Sequence, residues 1–264
     1  MYKDEVVLVT GSTQGIGKAT SLSFYNAGAK VVFTGRRKEK LLSIEKELID
    51  PSRAIFICID FLKKRSCEEL VDRVNKVWGR IDILINNCGG LREKGPFLDL
   101  DEKAWTHAFE LNLLTAVTMS KLIIPIMKKN GGGRIVNLSS ITALQPGSFN
   151  PHYSAIKFAL INLTKHLSLQ FANDNILVNS VSPGRIHTEA VDDYIIEKSL
   201  IENRDFSEIY EEEKERVNST VPLKRFGTSE EVAELIKYIC SDAGRYFTGS
   251  NFLIDGGKLK SVHL

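Results

Sequence analysis

The sequence predicts an α/β fold: a single Rossmann-like, doubly wound parallel sheet of about seven strands, with helices on both faces and a helical lid. Three observations carry this. Short β-branched runs alternate with longer amphipathic stretches along the chain. The runs are apolar at nearly every interior position, as strands covered on both faces are. A glycine cluster joins the first run to the first helical stretch.

The strand candidates, in order, are residues 5–10, 30–34, 54–59, 82–86, 134–139, 177–182 and 250–254. The helical patterns between them are 16–27, 39–48, 67–78, 102–128, 153–172 and 230–240. Right-handed crossovers then leave few topologies. No repeat, low-complexity tract or linker divides the chain, so residues 1–264 read as one domain. Residues 188–220 break the rhythm. They carry no strand signal and mix Tyr194, Ile195, Ile196, Leu200, Ile201, Phe206, Ile209 and Tyr210 with the acidic run 211–213. An excursion of that length beside a strand end reads as a substrate lid, with a surface helix pair or an oligomer contact as the alternatives.

Composition removes several function classes. Apolar residues make up 43% of 264 and charged residues 26%, enough for a core and too much for disorder. Lys plus Arg is 35 against 33 for Asp plus Glu, a formal net charge of +2, so no nucleic-acid footprint is expected. The longest apolar runs, such as 122–127, fall short of the roughly 20 residues of a membrane span. Cys58, Cys67, Cys88 and Cys240 show no CxxC spacing, and residues 5–10 already form a strand pattern where a signal peptide would lie. The expectation is a reduced, cytoplasmic protein. His107, His152, His166, His187 and His263 lack metal-ligand spacing, so no metal is expected.

The glycine cluster points to a dinucleotide. Thr10-Gly11-Ser12-Thr13-Gln14-Gly15-Ile16-Gly17 follows the first strand and opens a helix, in a GxxxGxG spacing. Gly11 permits the turn, Gly15 lets a pyrophosphate approach, and Gly17 packs the helix close to the strand. Ser12, Gln14 and Ile16 complete the candidate contacts at a helix end that favours anions. The second strand ends in Gly35-Arg36-Arg37 rather than in the acid that holds an NAD ribose. Two guanidiniums would instead bind a 2′-phosphate, each bond worth roughly 1.5–3 kcal/mol, so NADP(H) is expected over NAD by at least about tenfold. Asp60, with Phe61 beside it, follows the third strand and is placed to meet the adenine.

Tyr153 and Lys157 stand one helical turn apart, on one face. The same spacing recurs at Tyr194/Lys198 and Tyr210/Lys214, so the pair alone is weak. Only Tyr153 has a serine, Ser140, 13 residues earlier at a strand end; Val181 and Glu197 hold that place for the other two.

With these residues in place, the sequence resembles the short-chain dehydrogenase/reductase family. The resemblance rests on Thr10–Gly17, Asp60, Asn86-Asn87-Cys88-Gly89, Asn112, Ser140, Tyr153, Lys157 and Pro183-Gly184-Arg185-Ile186-His187-Thr188. Cys88 replaces the usual alanine. The resemblance implies that Tyr153 is the general acid or base and that Lys157, with the oxidised nicotinamide, lowers its pKa and holds the nicotinamide ribose. It implies that Ser140 donates to the substrate oxygen and that Asn112 holds a water relaying protons to Lys157. Asn87 and Gly89 would contact the adenosine ribose; Pro183, Gly184, Ile186 and Thr188 would line the nicotinamide; His187 has no catalytic role.

Within the family the chain is similar to the 3-oxoacyl-[acyl-carrier-protein] reductase group. The resemblance implies an NADP(H)-dependent reductase of a ketone or 3-oxoacyl thioester. An NADP-dependent dehydrogenase of a sugar, sterol or other secondary alcohol, and a non-catalytic NADP(H) binder, are the alternatives. Asn173-Asp174-Asn175 stands where bacterial reductases of that group carry a basic residue for the carrier protein, and Asp174 would repel an acidic partner. A homotetramer is implied, joined by 102–128, 153–172 and the C-terminal region, with Leu259, Val262 and Leu264 of the tail docking on a neighbour.

Overall fold

A computed structural model describes residues 2–261. Val262, His263 and Leu264 lie outside the described residues, and with them most of the tail expected to dock on a neighbour. The elements are β1 (Val6–Val9), α1 (Gly15–Asn26), β2 (Lys30–Gly35), α2 (Lys38–Glu47), β3 (Ala54–Cys58), α3 (Ser66–Trp78), β4 (Ile83–Asn86), α4 (Glu102–Phe109), α5 (Thr115–Lys129), β5 (Gly133–Leu138), α6 (Pro151–Phe171), β6 (Ile176–Pro183), α7 (Glu189–Glu202), α8 (Phe206–Thr220), α9 (Ser229–Cys240) and β7 (Asn251–Ile254).

All seven expected strands form one parallel sheet in the order β3-β2-β1-β4-β5-β6-β7. The period of two along each strand divides the core. Val7, Val9, Val31, Phe33, Ile83, Ile85, Val136 and Leu138 pack beneath α1, α2 and α9. Val6, Leu8, Val32, Leu84, Ile135 and Val178 pack beneath α3 and α5. Strand order reverses at the β1/β4 boundary, which opens a crevice beyond the C-terminal strand ends. A buried polar chain crosses the sheet near that edge: Asn86 Nδ2 donates to Asn137 Oδ1 at 2.8 Å, and Asn137 Nδ2 donates to Thr164 Oγ1 at 2.9 Å.

Two expectations need correction. The long helical pattern is not one uniform helix, because a π turn, Glu110–Leu114, separates α4 from α5 and carries Asn112. The absence of a span-length segment also fails as stated. By length and composition alone Glu102–Lys129 could cross a membrane, with a mean hydropathy of 1.4 over its most apolar window. Counting only unbroken apolar runs passes over it. In the fold, Met119, Ile123 and Met127 are fully buried against the sheet.

The lid is two helices, α7 and α8, hinged at Asn203 in the left-handed region. Ile195, Ile209 and Val217 anchor it. Arg204 ties the hinge to Glu202, Glu208 and Glu212, but these pairs are solvent-exposed and contribute little. A pair of helices with so few buried side chains belongs to the least stable part of the fold.

Candidate active site

The glycine loop is held by β2 and β4. Gly11 N–H donates to Thr34 Oγ1 at 2.9 Å, and Ser12 N–H donates to the Thr34 carbonyl at 2.8 Å. Asn87 Nδ2 donates to the carbonyls of Thr10 and Gly11 at 2.9 and 2.8 Å. Gly17 has no room for a side chain: a Cβ there would lie 2.2 Å from the Gly11 carbonyl oxygen. The helix therefore starts hard against the strand, with its first N–H groups facing the crevice. A carboxylate already sits at that helix end. Glu189 Oε2, from the first residue of α7, accepts from Gly15 N–H at 2.8 Å.

Several expected contacts turn out to be braces. Ser12 is fully buried, and its Oγ accepts from Thr34 N–H at 2.7 Å, so its side chain faces the sheet and not a phosphate. Asn87 has both amide N–H groups committed to the loop. Phe61 and Ile16 turn their side chains into the core, leaving only their backbones for a ligand. Arg37 donates to Gln14 Oε1, which also accepts from Lys40 at 2.9 Å, so Arg37 and Gln14 clasp each other. Arg36 is different. It lines a cleft of about 590 Å³ with Asp60, Lys63, Lys64 and Arg73, at the end of β2 and β3. Sequence reasoning misses Lys63, Lys64 and Arg73; their only signal is a scatter of basic residues after the third strand.

The catalytic candidates meet at the far side of the crevice. Ser140 leaves β5 and caps the turn after it, its Oγ accepting from Thr142 N–H at 3.2 Å. Tyr153 and Lys157 lie on the first turns of α6, and the Ser140 hydroxyl is near enough to the Tyr153 phenol to hold its pKa down. Lys157 is 3% exposed, its Nζ donating to the Leu138 carbonyl at 2.8 Å and standing 5.5 Å from the Tyr153 ring centre. Neither Tyr194/Lys198 nor Tyr210/Lys214 joins them, since both pairs lie on the lid helices.

Asn112 is buried in the π turn, and its Nδ2 donates to the carbonyls of Gly90 and Ala108 at 2.8 and 2.9 Å. Its Oδ1 accepts from Gly90 N–H at 2.9 Å. Both amide protons are therefore spent, and the Asn112 side chain fixes the loop after β4 at Gly90. A Cβ on the adjacent Gly89 would lie 2.6 Å from Asn112 Oδ1 and 3.1 Å from Lys157 Nζ. Gly89→Ala is therefore expected to cost about 1–3 kcal/mol, seen as a lowered Tm and weakened cofactor binding by titration calorimetry. An unchanged Tm and affinity would show that this floor can yield.

Burial dominates the electrostatics of the Tyr153–Lys157 pair. Burial pushes the Tyr153 phenol up to about 12, with the Ser140 hydrogen bond working the other way. Burial brings Lys157 down to about 8, and the nearby Cys88 works against it. Lys157 therefore does not lower the Tyr153 pKa by itself: it sits against the ring and the Leu138 carbonyl. At neutral pH the phenol holds its proton and is placed to donate it. The nicotinamide-side loop is packed as tightly as the glycine loop. A Cβ on Gly184 would come within 2.7 Å of Asp255 Cα, and Thr188 lies against Gly15, with Pro183 buried below. The His187 ring packs against Tyr210 and Phe226, away from Ser140 and Tyr153.

A doubly wound sheet with a helix-end anion seat on one side of its crevice and a Ser–Tyr–Lys group on the other defines a dinucleotide-dependent oxidoreductase. Comparison with known proteins narrows the class. The family model described as Enoyl-(Acyl carrier protein) reductase matches residues 11–258. The chain is 34% identical over 254 residues to the 3-oxoacyl-[acyl-carrier-protein] reductase FabG of Thermotoga maritima, covering 96% of this chain and 97% of that one. It is 36% identical to an NAD-dependent glycerol dehydrogenase of Listeria innocua, covering 96% and 93%. The L-sorbose reductase of Gluconobacter frateurii, solved with NADPH and L-sorbose, superimposes with a TM-score of 0.91 at 29% identity, covering 99% and 98%. The chain belongs to the short-chain dehydrogenase/reductase family.

Proposed function

We propose that the protein is an NADP(H)-dependent reductase of a small-molecule ketone. The observation that carries this is the half-buried Tyr153, facing Ser140 and one turn from the buried Lys157, with a phenol that burial pushes up so that it holds its proton at neutral pH. A protonated phenol suits carbonyl reduction, in which a proton must be given to the nascent alkoxide. NADPH, when bound, supplies the hydride. Ser140 Oγ donates to the carbonyl oxygen as charge develops there, and Tyr153 delivers the proton. Lys157 would hold the nicotinamide ribose.

The residues fit that cofactor. The Gly15 N–H already takes a carboxylate, so this helix end accepts an anion. Arg36 is exposed in the cleft at the end of β2; that strand end carries no acid, and Lys63, Lys64 and Arg73 outnumber Asp60 and Glu69 in the lining. Arg36→Ala is expected to weaken NADPH binding at least about tenfold while leaving NADH unchanged. Arg37→Ala should do less, because Arg37 is engaged with Gln14. Equal losses for NADH and NADPH in a binding titration would refute this assignment.

The ion pair between Lys128 and Asp174, at 3.0 Å, cancels the charge where a carrier protein would dock. That favours a free carbonyl compound over a carrier-bound acyl group. The partly covered apolar face of Glu102–Lys129, with Phe109 and Leu114 open, suits a homo-oligomer. The test is NADPH consumption with a short 3-oxoacyl thioester beside simple ketones and hydroxyketones, and NADP⁺ reduction with secondary alcohols. Turnover of a ketone faster than of any alcohol supports the reading. Oxidation outrunning reduction at neutral pH would overturn it.

A further inference from the structure

The first residue of the lid stands at the anion seat of α1. Gly15 opens that helix, and its N–H is one of the groups at a helix start that have no intrahelical acceptor. Glu189 opens α7, and its Oε2 accepts from Gly15 N–H at 2.8 Å, which links the lid to the glycine loop.

The backbone delivers the carboxylate there. The segment leading into α7 is clamped to Gly227, whose N–H donates to the Arg185 carbonyl and whose carbonyl accepts from His187 N–H, each at 2.9 Å. Ile186 packs into the core between these two bonds. Thr188 then lies on the glycine loop: a Cβ on Gly15 would stand 3.3 Å from Thr188 Cγ2 and 3.7 Å from Glu189 Oε2. A carboxylate tethered this closely competes at a high local concentration. Its surroundings do not draw it away. The cleft beside Gly15, of about 430 Å³, is lined by Lys18, His187, Asp192 and Glu230 as well as Glu189. Lys18 lies 3.3 Å from Glu47, and His187 lies 3.0 Å from Asp192. Among the described residues Glu189 makes no ion pair, and Gly15 N–H is the partner the fold gives it. A dinucleotide diphosphate binds at the same kind of helix start. Two anions placed there repel each other.

We propose that Glu189 is a built-in competitor of the cofactor: its carboxylate and the diphosphate of NADP(H) exclude each other from the Gly15 end of α1, so the cofactor must displace the first residue of the lid in order to bind. This rests on the NADP(H)-dependent reductase reading above and adds the regulation of that site. The test is calorimetric titration of wild type, Glu189→Gln and Glu189→Ala with NADPH, 2′-phospho-ADP-ribose and adenosine 2′-monophosphate, beside the Tm of each free protein. Both variants are expected to bind NADPH and 2′-phospho-ADP-ribose about three- to tenfold more tightly than wild type, whose affinity is lowered by the share of molecules in which Glu189 holds the seat. Adenosine 2′-monophosphate, which has no diphosphate, should bind all three proteins alike. The Tm of the free variants should be no higher than that of wild type. A residue that merely braced the glycine loop would give the opposite result, weaker cofactor binding when it is removed. Unchanged or weaker binding of the two diphosphate ligands in both variants would overturn the proposal. So would an equal gain for adenosine 2′-monophosphate, which would place the effect away from the diphosphate. The same gain in a protein that turns over no ketone would keep the competitor and remove the reductase reading. A gain for NADH in a protein that ignores NADPH would keep the competitor and remove the NADP preference.

Discussion

Tyr153→Phe is expected to lower ketone turnover by about a thousandfold, within the roughly 10²–10⁴ range that a positioned proton donor supplies. The ring and its packing against Lys157 survive the substitution; only the hydroxyl that faces Ser140 is removed. NADPH affinity and Tm should therefore stay near wild type, and the loss should fall on kcat. Ser140→Ala should cost about 10²–10³ in kcat, the worth of one donor to a developing oxyanion. The two losses should not add, because both groups serve one oxygen. The pH profile carries a sign. With the phenol pushed up to about 12, its proton is available for reduction throughout the neutral range, whereas alcohol oxidation needs the phenolate and should rise with pH. Stopped-flow NADPH oxidation checks each point. Turnover in Tyr153→Phe within about tenfold of wild type would remove the phenol from the chemistry.

Lys157→Met should separate stability from activity. In the folded protein Lys157 sits at about 8 against its usual 10.5. Below pH 8 both the folded and the unfolded chain carry the proton, and the fold bears the cost of a buried ammonium. Between pH 8 and about 10 the folded chain sheds the proton while the unfolded chain keeps it, so this group makes stability rise with pH. Each pKa unit is worth about 1.4 kcal/mol, so wild type should gain about 2–3 kcal/mol relative to Lys157→Met across that window. Above about pH 10 the raised Tyr153 pKa works in the opposite sense and stability falls. Turnover in the Lys157→Met enzyme should drop by about a hundredfold or more, through lost ribose binding and orientation. Denaturant melts of both proteins from about pH 7 to 10 read the difference. A constant difference across that range would show that Lys157 is not desolvated as the fold places it.

The strands are legible because parallel strands buried on both faces leave unbroken β-branched runs, as in residues 30–34. The 188–220 lid is legible for the opposite reason, since it lacks such a run. What stays hidden is the direction of side chains. Order along the chain brings Ser12, Asn87 and Phe61 to the crevice, but the pleat and the turn decide that Ser12 and Phe61 face the sheet and its core while Asn87 braces the glycine loop. The division of labour between Arg36 and Arg37 is of the same kind: one neighbour finds Gln14 and the other finds the cleft. The π turn at Asn112 is invisible, because a shifted hydrogen-bond register changes no residue type. The Tyr153 pKa depends on burial and on where Lys157 Nζ lies, and spacing along a helix supplies neither.

The measurement that tests the central claim most directly is hydride transfer from NADPH carrying deuterium at the nicotinamide C4. The label should be followed into the product of the best ketone substrate. Deuterium on the carbinol carbon, from one face of the cofactor and in step with NADPH consumed, is the predicted result, with NADH at least about tenfold slower. Deuterium from neither face in the alcohol, or NADH used as well as NADPH, would contradict the account.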